Sequence, residues 1–153
     1  MHIALYQPDI PQNTGTILRL CACLNLTAHI IEPAGFSATD SAFRRAGLDY
    51  LDLVTLVRHR SWQLFDTWRR RERHRLLLFT TASSASYLDY RYRADDVLLF
   101  GRESAGVPAA VHDGADARLL IPMRSGLRSL NVALAAAMAA GEALRQTGAT
   151  EAP

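Results

Sequence analysis

The sequence has no lysine: all 17 of its basic residues are arginine, set against 15 acidic residues for a formal charge of +2. Arginine's planar fork grips phosphate through paired hydrogen bonds, which suits an RNA partner. A GC-rich coding composition gives the same bias, and the many alanines fit it, so the bias alone is read as compositional. Cysteine is nearly missing too. Cys21 and Cys23 stand alone; two residues apart on a helix they point different ways, so they cannot bridge, and the spacing fits no zinc motif. Both are expected to be small buried residues in a reducing compartment, and no metal is expected. No apolar run approaches the roughly 20 residues that span a bilayer. The start, Met1-His2-Ile3-Ala4-Leu5-Tyr6, is too short and too uncharged for a signal peptide, so a soluble cytoplasmic protein without a membrane partner is expected. There is no G-x-G-x-x-G, and Gly101-Arg102-Glu103-Ser104-Ala105-Gly106 lacks the Lys-Ser/Thr of a phosphate loop. ATPase and dinucleotide-binding readings therefore fit poorly.

What is present is enough apolar material for one core. Of 153 residues 49% are hydrophobic and 21% charged, the balance of a folded domain. That domain is taken as residues 1–148, with a flexible tail over 149–153. Ile3–Tyr6, Ala28–Glu32, Leu51–Val57, Arg75–Thr80, Asp96–Phe100 and Arg118–Ile121 read as strands. Continuous runs such as Leu76-Leu77-Leu78-Phe79 and Val97-Leu98-Leu99-Phe100 are those of strands covered on both faces. Between them lie helical patterns. Asn13 or Thr14 caps the first, in which Ile17, Leu20, Cys21 and Leu24 share one face. Asp40 caps a short second helix closed by Gly47, Ser61 opens Trp62–Arg73, and Pro108 precedes Ala109–His112. A last helix runs from about Ser129 to Gln146 and stops at Gly148. The alternation predicts an α/β fold: a mostly parallel sheet flanked by helices.

Such folds bind ligands at the carboxyl ends of their strands. Four loops follow predicted strands and are rich in Gly, Pro or polar residues: Gln7–Gly15, Thr80–Ser86, Gly101–Pro108 and Pro122–Asn131. The run Trp68-Arg69-Arg70-Arg71-Glu72-Arg73-His74-Arg75 is the densest basic patch. The solvated end of a helix is the commoner meaning of such a run, and a grip on RNA phosphates the alternative. Tyr87, Tyr90 and Tyr92 are expected to pack rather than to stack on bases.

The loop residues also carry a resemblance. Asn13-Thr14-Gly15-Thr16-Ile17-Leu18-Arg19-Leu20-Cys21-Ala22, Phe100-Gly101-Arg102-Glu103-Ser104-Ala105-Gly106-Val107-Pro108, and Ile121-Pro122-Met123 leading to Arg128-Ser129-Leu130-Asn131-Val132 resemble, in order and spacing, the three motifs of the SPOUT methyltransferases. Ile30-Ile31-Glu32-Pro33 and Arg44-Arg45-Ala46-Gly47-Leu48-Asp49-Tyr50 are similar to the TrmL (YibK-like) branch. The resemblance implies a SPOUT fold with a C-terminal deep trefoil knot, although knots are otherwise nearly absent. It implies transfer of a methyl group from S-adenosylmethionine to the ribose 2′-hydroxyl of a tRNA wobble nucleotide, by a homodimer that grips the anticodon stem-loop. Carried onto matching positions, it implies that Phe79, Thr80, Gly101, Ile121, Met123, Ser129 and Leu130 hold the cofactor. Arg19, Asn131 and Glu103 would serve the reaction, and Arg44 and Arg45 the RNA. Guanidinium is effectively never deprotonated, so Arg19 is read as a clamp on phosphate and developing alkoxide. Lying near the start of its helix, it should have an anionic partner. The chain departs from the branch at Arg102, Ala82, Ala133 and Gly141, where the branch has proline, lysine, a polar residue and an aromatic. These departures bear on the substrate, and they leave open another RNA such as ribosomal RNA, or a non-catalytic binder.

Overall fold

The computed structural model describes residues 1–148 apart from Ala38 and Asp40. The expected Asp40 cap and the expected tail at 149–153 lie outside the described residues. In chain order the elements are β1 (His2–Tyr6), α1 (Pro11–Cys23), β2 (Thr27–Ile31), α2 (Ser41–Gly47), a 3-10 turn (Leu48–Asp52), β3 (Leu56–His59), α3 (Trp62–Arg71), β4 (Leu76–Phe79), β5 (Val97–Phe100), α4 (Ala109–Asp113), β6 (Ala117–Leu119) and α5 (Val132–Thr147). The six strands form one sheet in the order β3-β2-β1-β5-β4-β6. Every neighbouring pair is parallel. All carboxyl ends therefore meet at one edge, and the strand order reverses between β1 and β5, where such folds open a crevice.

The apolar runs have the expected cause. Alternate side chains of each strand feed two separate cores. Ile3, Leu5, Ile30, Leu77, Leu98 and Phe100 face Ile17, Leu18 and Cys21 of α1, Phe43 of α2 and the buried alanines of α5. Ala4, Tyr6, Ile31, Leu76, Leu78, Val97 and Leu99 face Phe65 of α3 and Val111 of α4. The small residues of α5 serve this packing directly, since Ala136, Ala139, Ala140 and Ala143 are fully buried.

Several expectations change at the ends of elements. Leu51–Val57 is not one strand: its first part is the 3-10 turn, and pairing begins at Leu56. Leu51 and Val54, one turn apart, pack on the core while Leu53 points outward, 73% exposed. The α1 helix begins at Pro11 without a side-chain cap, because proline's fixed φ already suits a first turn. That leaves Asn13 inside the first turn and free for other contacts. The last helix starts at Val132 rather than near Ser129, and Asn131 caps it, its Oδ1 accepting from the Ala133 amide at 2.8 Å. Ser61 caps α3 as expected. Cys21 is buried, but Cys23 is exposed.

The basic run at the end of α3 is not uniformly a solvated face. Arg69 is buried, donating to Asp66 at 2.7 Å, Asp116 at 3.0 Å and the Gly114 carbonyl at 2.9 Å. Arg75 pairs with the fully buried Asp96 at 2.7 Å. Arg70 and Arg71 do remain at the surface. Tyr87 and Tyr92 pack in the core, the Tyr92 hydroxyl donating to the Tyr87 carbonyl at 2.9 Å.

A chain of imidazoles crosses three strands beneath α3. His2 Nδ1 lies 3.0 Å from His29 Nε2, and His29 Nδ1 lies 2.9 Å from His59 Nε2. Neutral rings satisfy this row, each donating one N–H and accepting on the other nitrogen. Burial lowers His2 to about 4, helped by the N-terminal ammonium and His74, and lowers His29 to about 3, helped by the neighbouring imidazoles. These folded values lie below the unfolded value near 6.5, so the unfolded chain takes up protons first. Stability is full above about pH 6.5 and is lost as the pH falls toward the folded values. The thermal midpoint should therefore drop between about pH 6.5 and 5, above the carboxylate range. The drop should be blunted in His29→Gln; a flat wild-type midpoint across that interval would refute the assignment.

Candidate active site

All four loops converge at the carboxyl edge of β1, β4, β5 and β6. They enclose a cleft of about 610 Å³ lined by Ile10 and Asn13, by Phe79, Thr80 and Thr81, by residues 101–107, and by Ile121, Met123, Arg128, Ser129, Leu130 and Asn131. Every residue expected to hold the cofactor thus borders one space, together with Glu103 and Asn131. Arg19, Arg44 and Arg45 do not.

One wall is apolar. Phe79 stacks on Phe100 with ring centroids 4.9 Å apart and planes 18° apart, a pair delivered by the register of β4 against β5. Another part of the lining is the turn from Gly101 to Gly106, closed by Arg102 and Gly106 exchanging backbone hydrogen bonds of 2.9 and 2.8 Å. A Cβ at Gly101 would sit 2.7 Å from the Gly106 carbonyl carbon, and Gly106 itself has φ of +64°. Glycine is needed at 101 because the turn folds onto itself there.

The polar floor is a continuous chain. Asn131 donates from Nδ2 to Asn13 Oδ1 at 2.9 Å, and Asn13 donates from Nδ2 to Glu103 Oε1 at 3.2 Å. Glu103 Oε2 accepts from the Asp9 amide at 3.3 Å, and the Glu103 amide donates to Asp9 Oδ1 at 3.2 Å. Burial and the neighbouring Asp9 push the Glu103 carboxyl above its usual range. Hydrogen bonding with Glu103, and then with Ser104, holds Asp9 well below it. Sequence reading missed Asp9 altogether, and placed Asn13 at a helix cap and in the first motif without giving it a role in the site. Asp9 lies in one of the four loops, but its partner is 94 residues away, and nothing local marks the pair.

Arg19 lies in the third turn of α1, not near its start, and its guanidinium sits over the Tyr50 ring, 4.9 Å from the centroid. Among the described residues Arg19 meets no anionic partner; it meets an aromatic face, which attracts a cation through its quadrupole. Arg44 and Arg45 are exposed on α2. That helix lies close against α1, where a Cβ on Gly15 would meet the Phe43 carbonyl at 2.6 Å. Of the departures from the branch pattern, Arg102 lines the cleft, Ala82 and Gly141 are exposed, and Ala133 is buried.

The cleft suits a compact nucleoside ligand. Its volume is within the roughly 300–1,000 Å³ of small-molecule sites, and it combines an aromatic wall, a side-chain-free glycine turn and a few fixed polar groups. Among the described residues no cluster of His, Cys, Asp and Glu is arranged to hold a metal. No described helix is long and apolar enough to cross a membrane.

A parallel sheet ending in a cleft built from three sequence motifs is the arrangement of the SPOUT proteins, and the chain belongs to the SpoU rRNA Methylase family, which it matches over residues 1–141. Within that family it is 63% identical, over 96% of its length and 92% of the relative's, to the tRNA (cytidine(34)-2'-O)-methyltransferase of Beijerinckia indica subsp. indica. A solved structure concerned with the 2-OH methylation of C/U34 on tRNA superposes with a TM-score of 0.90 at 43% identity, covering 95% of this chain and 94% of that one. The SpoU methyltransferase AviRb from Streptomyces viridochromogenes, in complex with the cofactor AdoMet, gives a TM-score of 0.88 at 26% identity, covering 95% of this chain and 57% of that one.

Proposed function

We propose that this protein transfers the methyl group of S-adenosylmethionine to the ribose 2′-hydroxyl of the wobble nucleotide, cytidine or uridine, in the anticodon stem-loop of tRNA. It would do so in the cytoplasm, as a homodimer whose functional unit is residues 1–148. The observation that carries this reading is the convergence of all three motifs on one cleft, in a chain 63% identical over nearly its whole length to a relative named for this reaction.

S-adenosylmethionine, when bound, supplies the electrophilic methyl group. The protein's part is to place the hydroxyl in line and to manage its proton. Phe79, Ile121, Met123 and Leu130 offer apolar contact to the nucleoside, and Thr80, Gly101 and Ser129 offer backbone and hydroxyl groups. Asn131 and Glu103 hold the polar floor. Arg19 clamps phosphate and stabilises the developing alkoxide, while Arg44 and Arg45 bind RNA phosphates. The trefoil knot belongs to the same reading. The segment around 83–90 clasps the chain entering and leaving β6 and α5: Ser83 bonds the Arg118 carbonyl, Leu120 the Ala85 carbonyl, and Gln146 the Tyr90 carbonyl.

The homodimer is supported by two features. Arg19 lies outside its own chain's cleft, and α5 shows the solvent a stripe of Leu134 and Met138, 60% and 42% exposed, continued by Gly141. With α1 and α5 at the interface, Arg19 would serve the partner's site. Leu134→Glu is expected to convert a dimer into monomers in analytical ultracentrifugation and to abolish RNA methylation while sparing cofactor affinity. A variant that sediments like wild type would remove α5 from the interface.

A second reading, a ribosomal RNA substrate, is favoured by the family's own description. Transfer of labelled methyl to bulk tRNA and to ribosomal RNA, each from cells lacking the modification, separates the two. The proposal expects label on tRNA alone; label confined to ribosomal RNA would replace it.

A further inference from the structure

The methyl-transfer reading leaves one proton without an acceptor, and the inference here rests on that reading. Asp9 is in the loop between β1 and α1, and Glu103 is in the turn after β5. Each backbone amide donates to the other's carboxylate, at 3.2 and 3.3 Å. Ser104 Oγ donates to Asp9 Oδ2, and Arg102 Nε lies 3.7 Å from the same oxygen. Asp9 thus spends both oxygens on the turn that forms the cleft wall, without bordering the cleft itself. Glu103 does border it. Its two oxygens accept one hydrogen bond each, from Asn13 and from the Asp9 amide, which leaves lone pairs for a proton.

Two carboxyls clamped together resist double ionisation, so their titrations separate. Asp9, with more donors, takes the charge; Glu103, through burial and the neighbouring Asp9, is pushed above the ordinary carboxylate range. Among the described residues, Asp9 bonds to Glu103, Arg102 lies beside it on the same turn, and Arg128 from the loop before α5 lines the same cleft.

We propose that Asp9 is a positioning residue for methyl transfer: it fastens Glu103 in the cleft as the acceptor of the ribose 2′-hydroxyl proton. The O–H bond breaks and its proton passes to a Glu103 carboxylate oxygen, directly or through one water. The electron pair left on the ribose oxygen forms the bond to the methyl carbon. The carbon–sulfur bond breaks with its pair kept on sulfur, turning the sulfonium into a neutral thioether, and Glu103 later gives the proton to solvent.

The test is the single-turnover rate of methyl transfer to unmodified tRNA at saturating S-adenosylmethionine, from about pH 5 to 9, the range in which a tuned carboxyl shows itself. Wild type should lose rate on an acid limb set by Glu103. Asp9→Asn removes the neighbouring charge, so the limb should move down by about one pH unit and the plateau should fall about tenfold, with the KM for S-adenosylmethionine little changed. Asp9→Glu keeps the charge and should keep the limb in place, and it serves if the asparagine variant does not fold. Glu103→Gln should lose the limb and about 100-fold or more of the rate. An Asp9→Asn limb that stays in place, at any plateau, overturns the proposal, as does a wild-type-like limb in Glu103→Gln. A wild type that methylates no RNA would instead overturn the function beneath it, an outcome distinct from an active enzyme whose limb does not respond.

Discussion

Gly101→Val is expected to cut affinity for S-adenosylhomocysteine about 100-fold or more, measured by titration calorimetry, in a protein that still folds. The new Cβ would press on the Gly106 carbonyl carbon, Cα and oxygen at 2.7, 2.9 and 2.9 Å. These are main-chain atoms in a turn locked by two hydrogen bonds, so no flexible side chain can move aside. Relief must come from opening the turn, which costs about 1–3 kcal/mol as local overpacking and displaces the cleft wall as well. The strand beneath is buried on both faces and paired on both sides, so the fold should survive. Gly141→Ala is the matched control, because a Cβ there meets nothing within 4 Å. Unchanged affinity in Gly101→Val would show that the ligand does not lie against this turn.

Arg19→Ala should lower the rate of methyl transfer about 100- to 1,000-fold, the usual cost of removing one group that stabilises developing negative charge. Cofactor affinity should change little, since Arg19 is assigned to the RNA phosphate and the developing alkoxide rather than to the cofactor. Among the described residues Arg19 has no acidic partner, and only the Tyr50 ring steadies it. A guanidinium held by an aromatic face keeps its N–H donors available, which suits a clamp on phosphate and alkoxide. Arg19→Lys should recover little, because an ammonium supplies neither the planar fork nor the same stacking. Single-turnover assays at saturating tRNA check the rate, and full activity in Arg19→Ala would remove this residue from the reaction.

Much of the fold was legible because the physics that sets it is local. Runs such as Val97-Leu98-Leu99-Phe100 announce strands covered on both faces, and in a parallel sheet that places the four loops at one edge. The failures were also local. Leu51 and Val54 resemble part of a strand until Leu53 is seen to face water, and Pro11 starts α1 where a polar cap at Asn13 or Thr14 looked sufficient. At the site, the motif residues bordering the cleft could be named from sequence because they fall in the loops after strands. The Asp9–Glu103 clamp could not, since it joins two loops far apart in the chain and carries no spacing signature. Arg69 and Arg75 sit in one basic run with Arg70 and Arg71, and only the fold, which brings Asp116 to the buried Arg69 and Asp96 to the half-buried Arg75, separates them from the exposed two.

Transfer of the methyl group to the ribose of one tRNA nucleotide is the event on which every role assigned above depends. Its most direct test is to incubate the purified protein with S-adenosylmethionine and unmodified tRNA, digest the product with a base-specific nuclease, and locate the added mass by tandem mass spectrometry. The expected result is a single methyl on the ribose of the wobble nucleotide, in the anticodon-loop fragment alone. A methyl on a base, or on a ribose elsewhere in the tRNA, would contradict it.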